Sequence, residues 1–318
     1  MSKKYYDYIQ HFSLVLIILT FILIISNNNC FANDDFINND IVPIATMIGN
    51  SPAEQDVQKG LSKAKIIYEI EVEFPFTRLM AIFFDDNDIV VGPIRSSRYY
   101  FSRICAEWSA IFAHCGGQSL KNPNILDIDQ MHYSSPYWRN EKIGGWINLF
   151  TSTAKITQGI KEHSDIDNDI QCTHNLLNFT ELDLKNSNQI NKITIKYNSD
   201  YMVTYEYNDV QGKYYRYINQ KPYIDQESSE QIKVSNIIIQ YTSIEKIEDD
   251  DQGRVHVGLI GEGIAKVFNR GTYQLVKWIK RTKDEQTLFL DEEGSPIKYY
   301  HGNVWIHLLS KDSEVWFK

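Results

Sequence analysis

From residue 65 to 84 the chain reads KIIYEIEVEFPFTRLMAIFF, and this stretch commits the protein to β structure. Residues 65–74 alternate polar and apolar side chains, and residues 77–84 form an apolar run; both read as strands, divided by Pro75. Side chains of a strand take opposite faces in turn, so Glu69, Glu71 and Glu73 are predicted to share one face. Three stacked carboxylates repel one another and call for cations. Arg78 follows in the next strand.

Downstream, DDND (85–88) reads as a turn and IVVG (89–92) as a short strand. In GPIRSSR (92–98), Pro93 suits the first position of a helix, where its missing N–H is no loss. Apolar residues at 94, 101, 104, 105 and 108 predict a helix over 93–109, and AIFAHCGG (110–117) resumes as a strand ending in glycines. This strand–helix–strand unit marks an N-terminal mixed α/β domain over 43–163, whose second helix is expected within WINLFTSTAKITQGIKEH (146–163). Residues 164–191 read as a linker or surface loops.

From Lys192 the texture changes. YMVTYEY (201–207), KYYRYI (213–218), VSNIIIQYTSI (234–244), RVHVGLIG (254–261), TYQLVKWIKR (272–281) and NVWIHLL (303–309) are aromatic and β-branched runs separated by turns such as DDDQG, NRG and DEEGSP. Such spacing predicts a mostly antiparallel β domain over 192–318. The fold class expected for the whole is therefore α+β.

The N-terminus carries an export signature. Lys3 and Lys4 precede the apolar run FSLVLIILTFILII (12–25), which is short of the roughly 20 residues that a spanning helix needs. Residues 1–32 are expected to be a signal peptide or lipoprotein signal, and 33–42 a polar tether. Ala32 offers a cleavage point and Cys30 a lipidation cysteine, although SNNN (26–29) lacks the small apolar residues expected before one. The expected location is extracytoplasmic, secreted or anchored to the outer face of the cytoplasmic membrane, with membrane association through the N-terminus. The net charge of −9 argues against nucleic acid as a partner, since phosphate neutralisation needs a basic face. Cys105, Cys115 and Cys172 form no complete disulfide framework and no zinc spacing, and buried free thiols are expected.

Several of these stretches together resemble the YerB-like lipoprotein family, a two-domain family of unknown function. The pieces are GLSKAKIIYEIEVE, TRLMAIFF, VGPIRSSRYYF and HCGGQ in the first half. In the second they are KPYIDQESSEQIKVSNIIIQY, GRVHVGLIGEGIAKVF, TYQLVKWIKR and GNVWIHLL. The resemblance runs from Pro43 to Leu309 and implies an exported, often lipid-anchored envelope protein of α+β type with no established activity. The family commonly shows a Pro-His-Asn step where this chain has Trp146-Ile147-Asn148, so no role for that histidine carries over.

The arginines of GPIRSSR pose the chemical question. A cation near a helix start is unfavourable by roughly 0.3–1 kcal/mol, so Arg95 and Arg98 need an anion. One answer is internal: Glu69, Glu71 and Glu73 meet Arg78, Arg95 and Arg98. The other is a ligand: helix amides, the Ser96 and Ser97 hydroxyls and guanidinium forks make a receptor for carboxylate or phosphate. An anionic cell-wall component or an envelope protein is then the expected partner, bound without catalysis, cofactor or metal. The alternative is a cell-wall-directed hydrolase with His114 as base near the Arg95–Arg98 turn. No established nucleophile motif surrounds His114. MHYSSPYWRN (131–140) adds an aromatic cluster that serves equally as a binding platform or as core.

Overall fold

The computed structural model describes residues 42–85, 87–119, 125–162, 177, 179–180, 189–283 and 285–318. The N-terminal apolar run, the tether up to residue 41, Cys30, Cys172 and most of 164–191 lie outside the described residues.

The molecule is mostly β. Its first half supplies β1 (Ile44–Gly49), β2 (Ile66–Glu73), β3 (Phe76–Phe83), β4 (Ile111–His114) and β5 (Leu126–Asp129). Its second half supplies β6 (Lys192–Lys196), β7 (Met202–Asn208), β8 (Lys213–Ile218), β9 (Asn236–Thr242), β10 (Gly261–Asn269), β11 (Thr272–Lys280), β12 (Leu288–Leu290), β13 (Val304–Ser310) and β14 (Glu314–Phe317). The principal helices are α1 (Tyr99–Glu107) and α2 (Thr153–Glu162). Strands β2 and β3 form the hairpin that the 65–84 pattern predicts, in antiparallel register from Ile66↔Ile82 to Glu71↔Thr77.

Ten strands form one sheet in the order β12-β11-β10-β9-β13-β2-β3-β1-β4-β5. The two halves of the chain meet within it. β13 lies parallel to β2 on one side, Ile66↔Val304 to Ile70↔Leu308, and parallel to β9 on the other. A smaller antiparallel sheet, β8-β7-β6-β14, carries short flanking strands paired to β8. Antiparallel pairings predominate. Among the strands named here, the parallel pairs are β1–β4, β4–β5, β2–β13 and β9–β13.

Alternation along β2 shows what each face covers. Ile66, Tyr68, Ile70 and Val72 pack with Tyr100, Phe101, Ile104 and Cys105 of α1. Ile67 turns the other way, into a core built from Leu79, Ile237 and Trp305 of the large sheet and Ile193, Val203, Tyr205 and Tyr214 of the small one. Glu69 points into that second core. Both faces of β2 are therefore buried.

Helix α1 begins at Tyr99, not at Pro93, with Arg98 at its N-cap in extended conformation. The amides before it are already used. Ile94 N–H donates to Leu149 O (2.7 Å), Arg95 N–H to Met47 O (2.9 Å) and Ser97 N–H to Gly116 O (2.9 Å). Pairing to neighbouring strands outcompetes a helical turn, so residues 93–98 form a strap across the end of the sheet. The second predicted helix also starts late: Leu149–Ser152 is a strand paired with Tyr137–Arg139, and α2 follows at Thr153.

Candidate functional site

The strap changes the reading of its arginines. Arg95 lies ahead of the helix and Arg98 at its N-cap, so neither sits within the first turn. Each finds an internal acceptor. Arg98 forms an ion pair with Glu73 and donates through Nη1 to Ser97 O (2.7 Å). Arg78 donates to Ser96 O (2.7 Å) and to Glu73 Oε2 (3.3 Å). Arg95 Nε lies 2.8 Å from Glu54 Oε1, an acid in the one-turn helix after β1. Ser97 is fully buried, and its hydroxyl donates to Arg98 O.

The three glutamates do not act as one set. The β2–β3 register shifts between Glu71 and Glu73, and only Glu73 reaches the strap arginines. Glu71 is half-buried, and burial raises its carboxyl above the ordinary range. Glu69 is fully buried on the far side of the sheet and pairs with Arg216 Nη2 of β8 at 2.8 Å.

Around that pair lies the densest polar network described. Glu69 Oε1 accepts from Tyr201 (2.5 Å), Thr77 (3.1 Å) and Asn50 (3.3 Å), and Oε2 accepts from Trp305 Nε1 (3.1 Å). Burial pushes the Glu69 carboxyl up, but Arg216 and these donors outweigh it and hold it below its ordinary value. His307 Nε2 faces Tyr205 Oη at 2.8 Å and its Nδ1 faces Tyr197 Oη at 2.7 Å. Burial depresses His307 to about 4, so it is neutral at pH 7. Tyr205 Oη also accepts from Arg216 Nε (3.2 Å), so the tyrosine bridges the guanidinium and the imidazole. Glu69, Arg216 and His307 are closed to solvent, and the network ties the two sheets together.

Sequence reasoning missed Arg216 and His307, yet each left a signal. Arg216 occupies an inward position of KYYRYI, between Tyr214 and Ile218. His307 interrupts an otherwise apolar run. A charged or titratable group on a core-facing position implies a buried partner of opposite character.

His114 ends β4, as expected, and is buried. Its Nε2 lies 2.6 Å from Asp127 Oδ1 of β5 and its Nδ1 3.0 Å from Gly116 O. Both nitrogens face acceptors, so the ring is tied in place with no lone pair toward a hydroxyl or thiol. The thiols are not activated either. Burial pushes Cys105 well up, and burial with Asp129 nearby raises Cys115. Both are free.

What stays open to solvent is the outer side of the strap. The Arg95 guanidinium stacks on Trp146 at 3.9 Å from its ring centroid, and Trp146 is 56 % exposed. Cys115 N–H donates to Arg95 O (3.0 Å), which sets Gly116 and Gly117 beside the same surface. Met131, 68 % exposed, lies next to Gly116. Of the aromatic cluster, Tyr137 is buried and Trp138 stacks on Phe150, so these two rings are structural.

Two family models cover most of the chain: the N-terminal domain of DUF3048, a protein of unknown function, at residues 34–166, and its C-terminal domain at residues 193–306. The chain belongs to this family. A curated relative from Bacillus subtilis (strain 168), named "Putative lipoprotein YerB", is 26% identical over 280 residues, covering 84% of this chain and 81% of the relative. The crystal structure of the YerB protein from Bacillus subtilis superposes with a TM-score of 0.74 at 23% identity, over 87% of this chain and 94% of that one. The YerB-like resemblance read from the sequence is thus shown, and the fold is shared. Among the described residues no helix is long and apolar enough to cross a membrane.

Proposed function

We propose that this chain is an exported, envelope-anchored protein that acts by binding, as an accessory factor at the outer face of the cytoplasmic membrane. The relative's name as a lipoprotein and the apolar run at 12–25 support the location. One observation carries the binding role: the reactive groups are tied up internally, while Arg95 and Trp146 present a cation stacked on an exposed indole. A guanidinium flattened on an aromatic ring is desolvated on one face and keeps donors at its edge for a carboxylate. The indole offers an apolar platform for a sugar ring or a peptide side chain. The ligand class is therefore a carboxylate-bearing wall glycopeptide. The anion site is reduced from a helix start with several arginines to the outer edge of Arg95: Arg78 and Arg98 share Glu73, and Arg95 meets Glu54 through Nε, so its terminal nitrogens are what a ligand carboxylate would reach.

The test is calorimetric titration of the full chain in detergent micelles with a soluble disaccharide–peptide wall fragment and with its carboxyl-amidated form. Saturable binding of the acid form, weakened at least tenfold by amidation, Arg95→Ala or Trp146→Ala, supports the proposal. Equal binding by Arg95→Ala, or release of cleaved products by wild type but not His114→Ala, overturns it and favours a hydrolase.

A further inference from the structure

The large sheet ends unevenly. β11 pairs with β10 along all nine residues, Thr272–Lys280, but β12 covers only Lys277–Ile279 of its other side. Arg270 and Gly271, both at positive φ, form the two-residue turn between β10 and β11, so Asn269 and Thr272 are the first hydrogen-bonded pair. From there the antiparallel ladder alternates. The backbone groups of Thr272, Gln274 and Val276 face β10, and those of Tyr273, Leu275, Lys277 and Ile279 face outward. Lys277 and Ile279 are met by Leu290 and Leu288. No described residue pairs with the outward N–H and C=O of Leu275.

The slot beside Leu275 is a shaped site. After Leu290 the chain leaves the ladder in a tight turn, with Asp291 N–H donating to Ser295 O (2.9 Å). An open cavity of about 500 Å3 lies over β10 and the edge strand β11 and is bounded by Asp291 and Glu292 of that turn, within the range of ligand sites. Leu275 (48 % exposed) and its diagonal neighbour Ile264 (54 % exposed) form its apolar floor. Asp291 and Glu292 stand at its rim. Lys277, the cation lining it, is neutralised by Glu262 at 2.9 Å. The unmet charge of the cavity is therefore negative.

We infer that this slot receives an extended segment of a partner protein, added as a strand beside β11 in line with β12, with an apolar side chain on Leu275 and Ile264 and a lysine or arginine at Asp291 and Glu292. Strand addition supplies affinity through the backbone and specificity through alternate side chains. A bare edge on a monomer invites uncontrolled pairing. Here the bare stretch is short and its acidic rim selects the charge of what may pair. This site is separate from the Arg95–Trp146 surface and takes a ligand of opposite charge, so either can fail alone.

The probe is an acetylated, amidated Val-Lys-Val-Lys-Val peptide, titrated into the full chain in micelles and followed by hydrogen exchange across 272–280. Saturable binding, at least tenfold slower exchange in that stretch, and at least tenfold weaker binding of the Val-Glu-Val-Glu-Val analogue are expected. Alternate N-methylation of the lysine peptide, which removes its ladder donors without touching the protein, should abolish binding. Glu292→Lys should weaken binding three- to tenfold. Equal binding of the N-methylated or acidic peptide, unchanged exchange over 272–280, or no saturable binding overturns the proposal. A dimer that dissociates as the peptide binds overturns it in favour of pairing between two copies of this chain.

Discussion

Glu69 Oε2 and Arg216 Nη2 lie 2.8 Å apart with both side chains wholly shut off from water, one on the large sheet and the other on the small one. The pair joins residues 147 positions apart in sequence. A desolvated pair of this kind gives modest net stability, but removing one partner strands a buried charge.

Glu69→Gln or Arg216→Met alone should therefore destabilise the fold by roughly 3–5 kcal/mol, lowering Tm by about 5–9 °C. In the double variant the losses should fall short of additive by at least about 1 kcal/mol. Thermal melts of the four proteins check this; strict additivity would mean that the two side chains are not coupled.

Acid sensitivity follows from His307. Its folded value of about 4 lies below the ordinary imidazole value, so between about pH 6.5 and 4 the unfolded chain binds a proton that the folded chain refuses. Stability is present above that window and is lost as pH falls through it, by on the order of 3 kcal/mol. Glu69, held low, adds a loss of the same sign at still lower pH. Denaturant unfolding from pH 7 to 4 should show the decline, and His307→Asn should flatten it.

Lys280 Nζ donates to Glu107 Oε1 at 2.5 Å, and both side chains are buried. Glu107 Oε2 also accepts from the Thr287 amide (2.9 Å), so the carboxylate pins α1 to the second half of the chain. Lys280→Met should cost roughly 3–5 kcal/mol. It should also speed hydrogen exchange in α1; unchanged protection there would show that the pair does not anchor the helix.

Cys105 should resist alkylation in the native protein, because burial keeps its thiol protonated and covered. Peptide mapping after iodoacetamide treatment, with and without denaturant, should show modification of Cys105 only on unfolding. Cys115, partly exposed, should react slowly in the native state.

Much of the secondary structure was legible in the sequence because it is written in nearest neighbours. KYYRYI became β8 with the predicted bounds, and TYQLVKWIKR and NVWIHLL became β11 and β13 within a residue. The strap was not legible. Pro93 and the apolar spacing fit a helix start, and only Leu149, Met47 and Gly116, which capture its amides, decide otherwise. The glutamate trio failed for a similar reason: period-two alternation is local, and the register shift after Glu71 is set by pairing with β3.

By itself the amino-acid order determined the β character, the bounds of β8, β11 and β13, the export signature and the YerB-like kinship. These depend on periodicity, composition and motif order, which need no knowledge of what packs where. Only the tertiary structure decided which acid meets which base. Glu69 turned from the strap to Arg216, Arg95 took Glu54 and kept a face for Trp146, and the two halves merged into one sheet through β2 and β13. The physical reason is that a charge's partner is fixed by distance in space. Trp305, 236 residues from Glu69, donates to the same carboxylate because β13 and β2 are neighbours in the sheet.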